Sequence, residues 1–325
     1  MIGRYLAVAM LLAGSAPLSG QTATTRLDAV SGAQPVDGKT QAQDVHIRSD
    51  FEQRMTVPVR LSGSGPYQFL VDTGADRTAV SRELVAKLAL PSAGPVQLHS
   101  VTGVSEVNTA RVKDVELTRP PENIDAAVLD RENIGADGIV GSDLLRAERV
   151  QFDFEKQTMT VVPSSSPEYH GDPGAIVVTA RRNNGRLIIT DADVDGQHLT
   201  VVLDTGADLS MGNEELRRRL PRDDLVYLGE KAQLLSVTGA VIVGDIVHIR
   251  EMTIGGIGIR NLAVVITDAH TFKQLGLLNR PALLFGMNAM RAFKKVSIDF
   301  ANRKFRVVMP EHSAIDTQMA SRGGL

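Results

Sequence analysis

Short apolar runs broken by turn residues make up most of the chain between about residues 46 and 310. Val247 and Ile249 alternate with His248 and Arg250, the two-residue period of a strand with one face buried. Turn sequences such as Gly63-Ser64-Gly65-Pro66 and Asp195-Gly196 separate runs of this kind, as in antiparallel sheets. Helices are predicted only as short pieces. Ser81 is placed to cap one over 82–88 and Asn213 one over 214–220, and two more are expected over 142–147 and 287–292. The strand–helix alternation of a doubly wound sheet is missing. The pattern predicts an all-β protein with short helices.

That pattern occurs twice. Apolar runs (Phe69-Leu70-Val71 and Val201-Val202-Leu203) each lead into the pentapeptide Asp-Thr-Gly-Ala-Asp, at 72–76 and at 204–208. Ser-Val-Thr-Gly follows at 100–103 and 236–239. Then come Ile139-Val140-Gly141 and Leu284-Phe285-Gly286, Arg146-Ala147 and Arg291-Ala292, and Asp153-Phe154 and Asp299-Phe300. Each Asp-Phe pair leads into a strand-like run, at 159–162 and 305–308. The spacing between copies grows from 132 residues at the pentapeptides (72 to 204) to 146 at the Asp-Phe pairs (153 to 299). A duplicated domain with loop insertions gives that steady drift.

Composition narrows the reading. A chain of 325 residues, 43% hydrophobic with net charge −3, suits two ordinary globular domains and offers no electrostatic case for nucleic acid. Arg217–Arg219 reads as a solvated helix face. Arg4, the apolar stretch over 5–13 and the small residues Gly14, Ser15, Ala16, Ser19 and Gly20 have the build of a secretory signal peptide over 1–20. That run is too short to span a bilayer, no later segment is long and apolar enough to do so, and there is no Cys for a disulfide or a lipid. An exported protein is expected, in the periplasm or beyond it. Residues 21–45 read as a disordered leader or pro-segment, 164–173 as a linker and 311–325 as a frayed tail. This leaves domains over 46–163 and 174–310.

Two signals are set aside. Asp191-Ala192-Asp193-Val194-Asp195-Gly196 imitates the start of a calcium loop, but Val202 stands where a bidentate Glu is required, so a hairpin turn is expected. Gly255-Gly256-Ile257-Gly258 has Asn261 where a nucleotide loop needs its last Gly, and reads as a turn between strands. The seven His show no metal spacing and are expected at the surface or at edges. No Gly-x-Ser-x-Gly elbow is present. No metal and no cofactor is called for.

With Gly138-Ile139-Val140-Gly141 and Leu283-Leu284-Phe285-Gly286 as second motifs, the two pentapeptides resemble those of the retropepsin-like aspartic proteases, in the exported bacterial branch that carries two retroviral-type domains in tandem. The resemblance implies two β-barrel lobes related by a pseudo-twofold axis, with Asp72 and Asp204 as catalytic carboxylates. Thr73 and Thr205 would send their hydroxyls across to the opposite loop. Gly74 and Gly206 are needed where the loops approach too closely for a Cβ. Ala75 and Ala207 stand where many pepsin-like enzymes have a Ser or Thr that bonds the carboxylate, so a pH optimum nearer neutrality than pepsin's is expected. Ser100, Val101, Thr102 and Gly103, and Ser236, Val237, Thr238 and Gly239, fall where the family has its flaps. Asp76 and Asp208 complete the substrate-binding set. In the retroviral pattern the last Asp of the pentapeptide pairs with an Arg just after the second-motif Gly. Here Ser142 and Met287 hold those positions, and Arg146 and Arg291 are candidate replacements. The implied substrate is an extended polypeptide cut in one interdomain cleft of a monomer. The alternatives are the same chemistry at two sites of a homodimer, a peptide-binding module without turnover, and a zymogen whose residues 21–50 fill the cleft.

Overall fold

In the computed structural model, residues 24–29, 45–46, 55–118, 120–167, 174–183, 185–221 and 225–310 are described. The predicted signal sequence, the tail, and most of the leader and linker lie outside them. Within the leader, Thr24–Ala29 forms a strand that adds antiparallel to Ile257–Ile266.

The two copies share one order of strands, to which the second lobe adds short ones. The first-lobe sheet runs in the order Val57–Leu61, Ser64–Val71, Gly138–Val140, Ala79–Ser81, Glu122–Leu129, Gly103–Val115, Ser92–Ser100. The second-lobe sheet repeats it as Arg186–Ile189, Thr200–Leu203, Ala282–Phe285, Ser210–Gly212, Ile257–Ile266, Val241–Ile254, with Leu225–Leu235 paired to the last. The strand before each pentapeptide is paired in parallel with the second motif: Leu70 faces Ile139 and Val71 faces Val140, while Val202 faces Leu284 and Leu203 faces Phe285. Both faces of these central strands are buried, which is why their sequences are continuous apolar runs rather than alternating ones.

The helices sit where the caps predicted them. Ser81 Oγ accepts from the Leu84 N–H at 3.1 Å, opening Arg82–Leu88, and Asn213 Oδ1 accepts from the Leu216 N–H at 2.9 Å, opening Glu214–Arg219. The helices after the second motifs are shorter than predicted, Ser142–Leu145 and Met287–Met290. Asp195-Gly196 and Gly255-Gly256 are tight hairpin turns with both residues at positive φ, as the sequence predicts for each.

A third sheet joins the lobes, in the order Thr158–Pro163, Glu148–Asp153, Lys295–Asp299, Lys304–Val308, Ile176–Thr179. At its centre Glu148–Asp153 runs antiparallel to its own counterpart, Lys295–Asp299, with Gln151 opposite Ser297. These two residues are equivalent in the duplication, so the local twofold passes between them. One face of this sheet buries Val150, Phe152, Val296, Ile298, Phe305 and Val307 in a single hydrophobic core continuous through both lobes. At roughly 25 cal/mol per Å² of apolar area, that continuity resists any separation of the lobes. Two self-contained domains, the sequence expectation, do not by themselves predict a shared core.

One His departs from the surface placement expected of it. His248 is buried at 5% exposure because its Nδ1 meets the Asn261 side-chain oxygen at 2.9 Å, which satisfies the ring in the interior. Among the described residues no cluster of His, Asp and Glu could hold a metal, and no helix is long and apolar enough to cross a membrane.

Candidate active site

Each pentapeptide turns off the end of a central strand and is tied at once to the second motif of its own lobe. The Asp72 N–H donates to Val140 O (3.0 Å) and the Asp204 N–H to Phe285 O (3.1 Å). Further along, the N–H and hydroxyl of Thr78 donate to the Asp143 carboxylate, and the N–H and hydroxyl of Ser210 donate to Asn288 Oδ1. The loop is thus clamped to the helix that follows the second motif of its own lobe.

The loops then meet at the local twofold. Thr73 Oγ1 donates to Leu203 O (2.9 Å) and Thr205 Oγ1 donates to Val71 O (2.7 Å). Each hydroxyl also accepts the opposite threonine's N–H at 3.1 Å. All four bonds cross between lobes, so the spacing of the neighbouring carboxylates is fixed by both halves together. A Cβ built on Gly74 would lie 2.6 Å from Asp204 Oδ1, and one on Gly206 would overlap the Asp72 carboxyl. The missing side chains are what let the two acids approach.

Asp72 and Asp204 are each 7% exposed. The Gly74 N–H donates to Asp72 Oδ1 (2.8 Å) and the Gly206 N–H to Asp204 Oδ1 (3.0 Å). Burial, reinforced by the charge of Asp204, pushes Asp72 up to about 7. Burial also raises Asp204, opposed by Arg186, by the Gly206 and Ala207 amides and by a hydrogen bond shared with Asp72. Burial and the hydrogen bond the two acids share both disfavour ionising the pair together, so the pair holds one proton over a wide pH range.

Two hairpins roof these acids. Their tips, 100–103 and 236–239, are braced alike, by Ser100 Oγ on Thr102 Oγ1 (2.9 Å) and Ser236 Oγ on Thr238 Oγ1 (3.1 Å). Gly103 and Gly239 both take positive φ there. Each tip reaches over to the opposite lobe. The His270 N–H of the second lobe donates to Val101 O (2.9 Å), while Gly239 lies against Asn133 of the first. Val101 packs on second-lobe core residues and Val237 on first-lobe ones. The first hairpin has an extra clasp: His99 Nδ1 and His270 Nε2 are 2.9 Å apart with rings stacked, and Gln274 bonds both. Beneath the tips, a cavity of about 170 Å³ opens onto both carboxylates.

A family model described as aspartyl protease matches residues 57–144 and again 190–289, together more than half of the chain. The chain belongs to the aspartyl protease family. Each match covers one lobe with its pentapeptide and second motif, as a tandem pair of retropepsin-like units requires. No curated protein matches the chain.

Against the retroviral pattern of this family, the ion pair at the end of the first pentapeptide is rebuilt from an unexpected residue. Asp76 pairs with Arg186 of the second lobe (Nη1 to Oδ1, 3.1 Å), and the same guanidinium donates from Nε to Gly74 O at 2.8 Å. Arg146, the sequence candidate, instead donates to Asp143 O on its own helix. Ser142 stands in the usual Arg position with Gly185 beside it; a Cβ on Gly185 would lie 2.8 Å from Ser142 Oγ. The strand carrying Arg186 thus passes where a large residue at 142 would block it. Arg186 is 6% exposed and its charge lowers both acids. Asp208 and Arg291 border a separate small cavity that Asp72, Thr205 and Gly206 also line. The duplication held a signal for Arg186: an Arg stands 18 residues ahead of each pentapeptide, Arg54 before Asp72 and Arg186 before Asp204.

Proposed function

We propose that this protein is an exported aspartic endopeptidase that hydrolyses extended peptides in a single cleft between its lobes. The observation that carries the reading is the dyad: two buried carboxylates, one from each lobe, with Asp72 raised to about 7 and Thr73 and Thr205 locked across the interface. One Asp, ionised, takes a proton from a water held between the two. The water oxygen attacks the scissile carbonyl carbon, and the other Asp gives its proton to the carbonyl oxygen. The tetrahedral diol then collapses as a proton passes to the amine, and the C–N bond breaks. No covalent intermediate and no metal is required. The hairpins 100–103 and 236–239 act as flaps that exclude water and add main-chain hydrogen bonds to an extended substrate. Export is supported by Arg4 and the apolar stretch over 5–13. The test is incubation with a diverse peptide library at pH 4 to 7. Internal cleavage is expected, blocked by a peptide with a hydroxyl-bearing tetrahedral carbon in place of the scissile carbonyl. Intact peptides throughout that range contradict the proposal.

The alanines beside the dyad give a second expectation. Ala75 and Ala207 supply only their amides to the acids. A hydroxyl donating to the ionised form lowers a carboxyl pKa. Ala75→Ser together with Ala207→Ser is therefore expected to move the acid limb of the pH–rate profile, measured as kcat/KM, to lower pH. An unmoved profile contradicts this reading of the two alanines.

A further inference from the structure

We infer that the two walls of the cleft select side chains of different size, the first-lobe wall a large apolar one and the second-lobe wall a small one. The inference rests on the endopeptidase reading of the same cleft and names the sequences that cleft prefers.

The duplication allows the walls to be compared position by position. Ala79 lies in its sheet between Ala127, its parallel partner, and Ile139, its antiparallel one. Met211 holds the same place in the second lobe, between Val265 and Leu284. Ala79 and Ala127 line the cavity that opens onto Asp72 and Asp204. All four residues are buried, the alanines at 3% and 1% in the first-lobe apolar cluster, but their counterparts Met211 and Val265 are larger side chains, packed at 0% exposure in the second-lobe cluster with Leu234 and Phe272, and neither lines the cavity. The rim repeats the contrast. Arg77 stands exposed at the edge of the cavity, whereas its counterpart Leu209 is drawn into the second-lobe cluster. The flaps do not cancel the difference, because each sets a valine on the opposite wall: Val237 on the first, Val101 on the second.

An extended peptide lying across the local twofold offers side chains at equal distances on either side of the scissile bond to the two walls in turn. The side chain turned to the Ala79 wall finds room, and its mirror on the Met211 wall meets a close-packed core that gives way only with strain. One methylene in an apolar pocket discriminates roughly 10- to 200-fold in kcat/KM. A difference as large as Met for Ala and Val for Ala is expected to reach at least the lower end of that range.

The experiment is a cleavage profile over a peptide library, read at positions symmetric about the cut, together with binding of two uncleavable hydroxyl-bearing isosteres. One isostere carries a large apolar group on one side of the tetrahedral carbon only; the other carries it on the opposite side. Wild type is expected to cut with a large residue on one side and a small one on the other, and to bind one isostere at least about tenfold more tightly than its mirror. Ala79→Met with Ala127→Val should erase the preference for the large residue, and Met211→Ala should admit one on the mirror side. Ala79→Val alone serves if the double variant does not fold, and is expected to reduce the preference. Equal size tolerance on the two sides, or an unchanged profile in the folded variants, overturns the inference while leaving the endopeptidase reading intact. Size-selective binding without cleavage does the reverse. Failure to bind either isostere overturns the inference.

Discussion

Asp72→Asn is expected to give a protein that cuts no peptide yet resists unfolding better than wild type at neutral pH. The catalytic loss, at least about 10³-fold, follows from the proposed mechanism, in which Asp72 is one of the two groups that move protons. The gain in stability follows from the environment of Asp72. Burial and the Asp204 charge raise it from 3.8 to about 7, so the folded protein takes up a proton there that the unfolded chain does not. A carboxyl raised in the folded state favours folding at low pH and loses that advantage as pH climbs from about 4 to about 7. Asparagine keeps the shape without the titration. The stability gap between variant and wild type should therefore be near zero at pH 4 and grow to roughly 4 kcal/mol above pH 7. Urea unfolding at a series of pH values measures it. A gap that does not change with pH means that the acid is not held in the strained, desolvated state described.

The second large effect belongs to Arg186. Its guanidinium binds the first-lobe loop through Gly74 O and Asp76, and its charge lowers both members of the dyad. Arg186→Met keeps much of the volume but removes every one of these interactions. Stability is expected to fall by about 1 to 3 kcal/mol, below or at the bottom of the range for a fully buried pair because Asp76 is half exposed and regains water. Without the positive charge both acids rise, so the limbs of the pH profile of kcat/KM should move to higher pH. Arg186→Lys, which restores the charge without the two-pronged geometry, should recover the pH profile more fully than the stability. A profile that stays in place in Arg186→Met would separate this residue from the dyad.

The central features were open to reading because the chain states them twice. Recurrence turned Asp-Thr-Gly-Ala-Asp, an ordinary turn sequence in one copy, into a marker of two equivalent loops. The caps at Ser81 and Asn213, the hairpins with tips at 100–103 and 236–239 and the second motifs are all local signals, set by residues close in sequence. What stayed hidden depends on contacts between the copies. Arg186 meets Asp76 across 110 residues (76 to 186), and His99 meets His270 across 171. No local pattern specifies such a pairing, although the matched position of Arg54 pointed to the Arg. The joining sheet was hidden for the same reason: the strands Glu148–Asp153 and Lys295–Asp299 look like any other half-buried strands until each is laid against the other. Burial of His248 turned on its Asn261 partner, a residue noticed in the sequence only as a missing glycine. The contrast of Ala79 with Met211 could be given meaning only after the strand registers of the two lobes were aligned.

Whether one polypeptide contributes both acids to one site is decided by assaying Asp72→Asn, Asp204→Asn and an equimolar mixture of the two against wild type, with the mass in solution measured alongside. A single shared site gives an active monomeric wild type, no cleavage by either variant and none by the mixture. Residual activity near half of wild type in either variant alone, carried by a dimer, would contradict it, because each acid would then be working with its twin in a second chain.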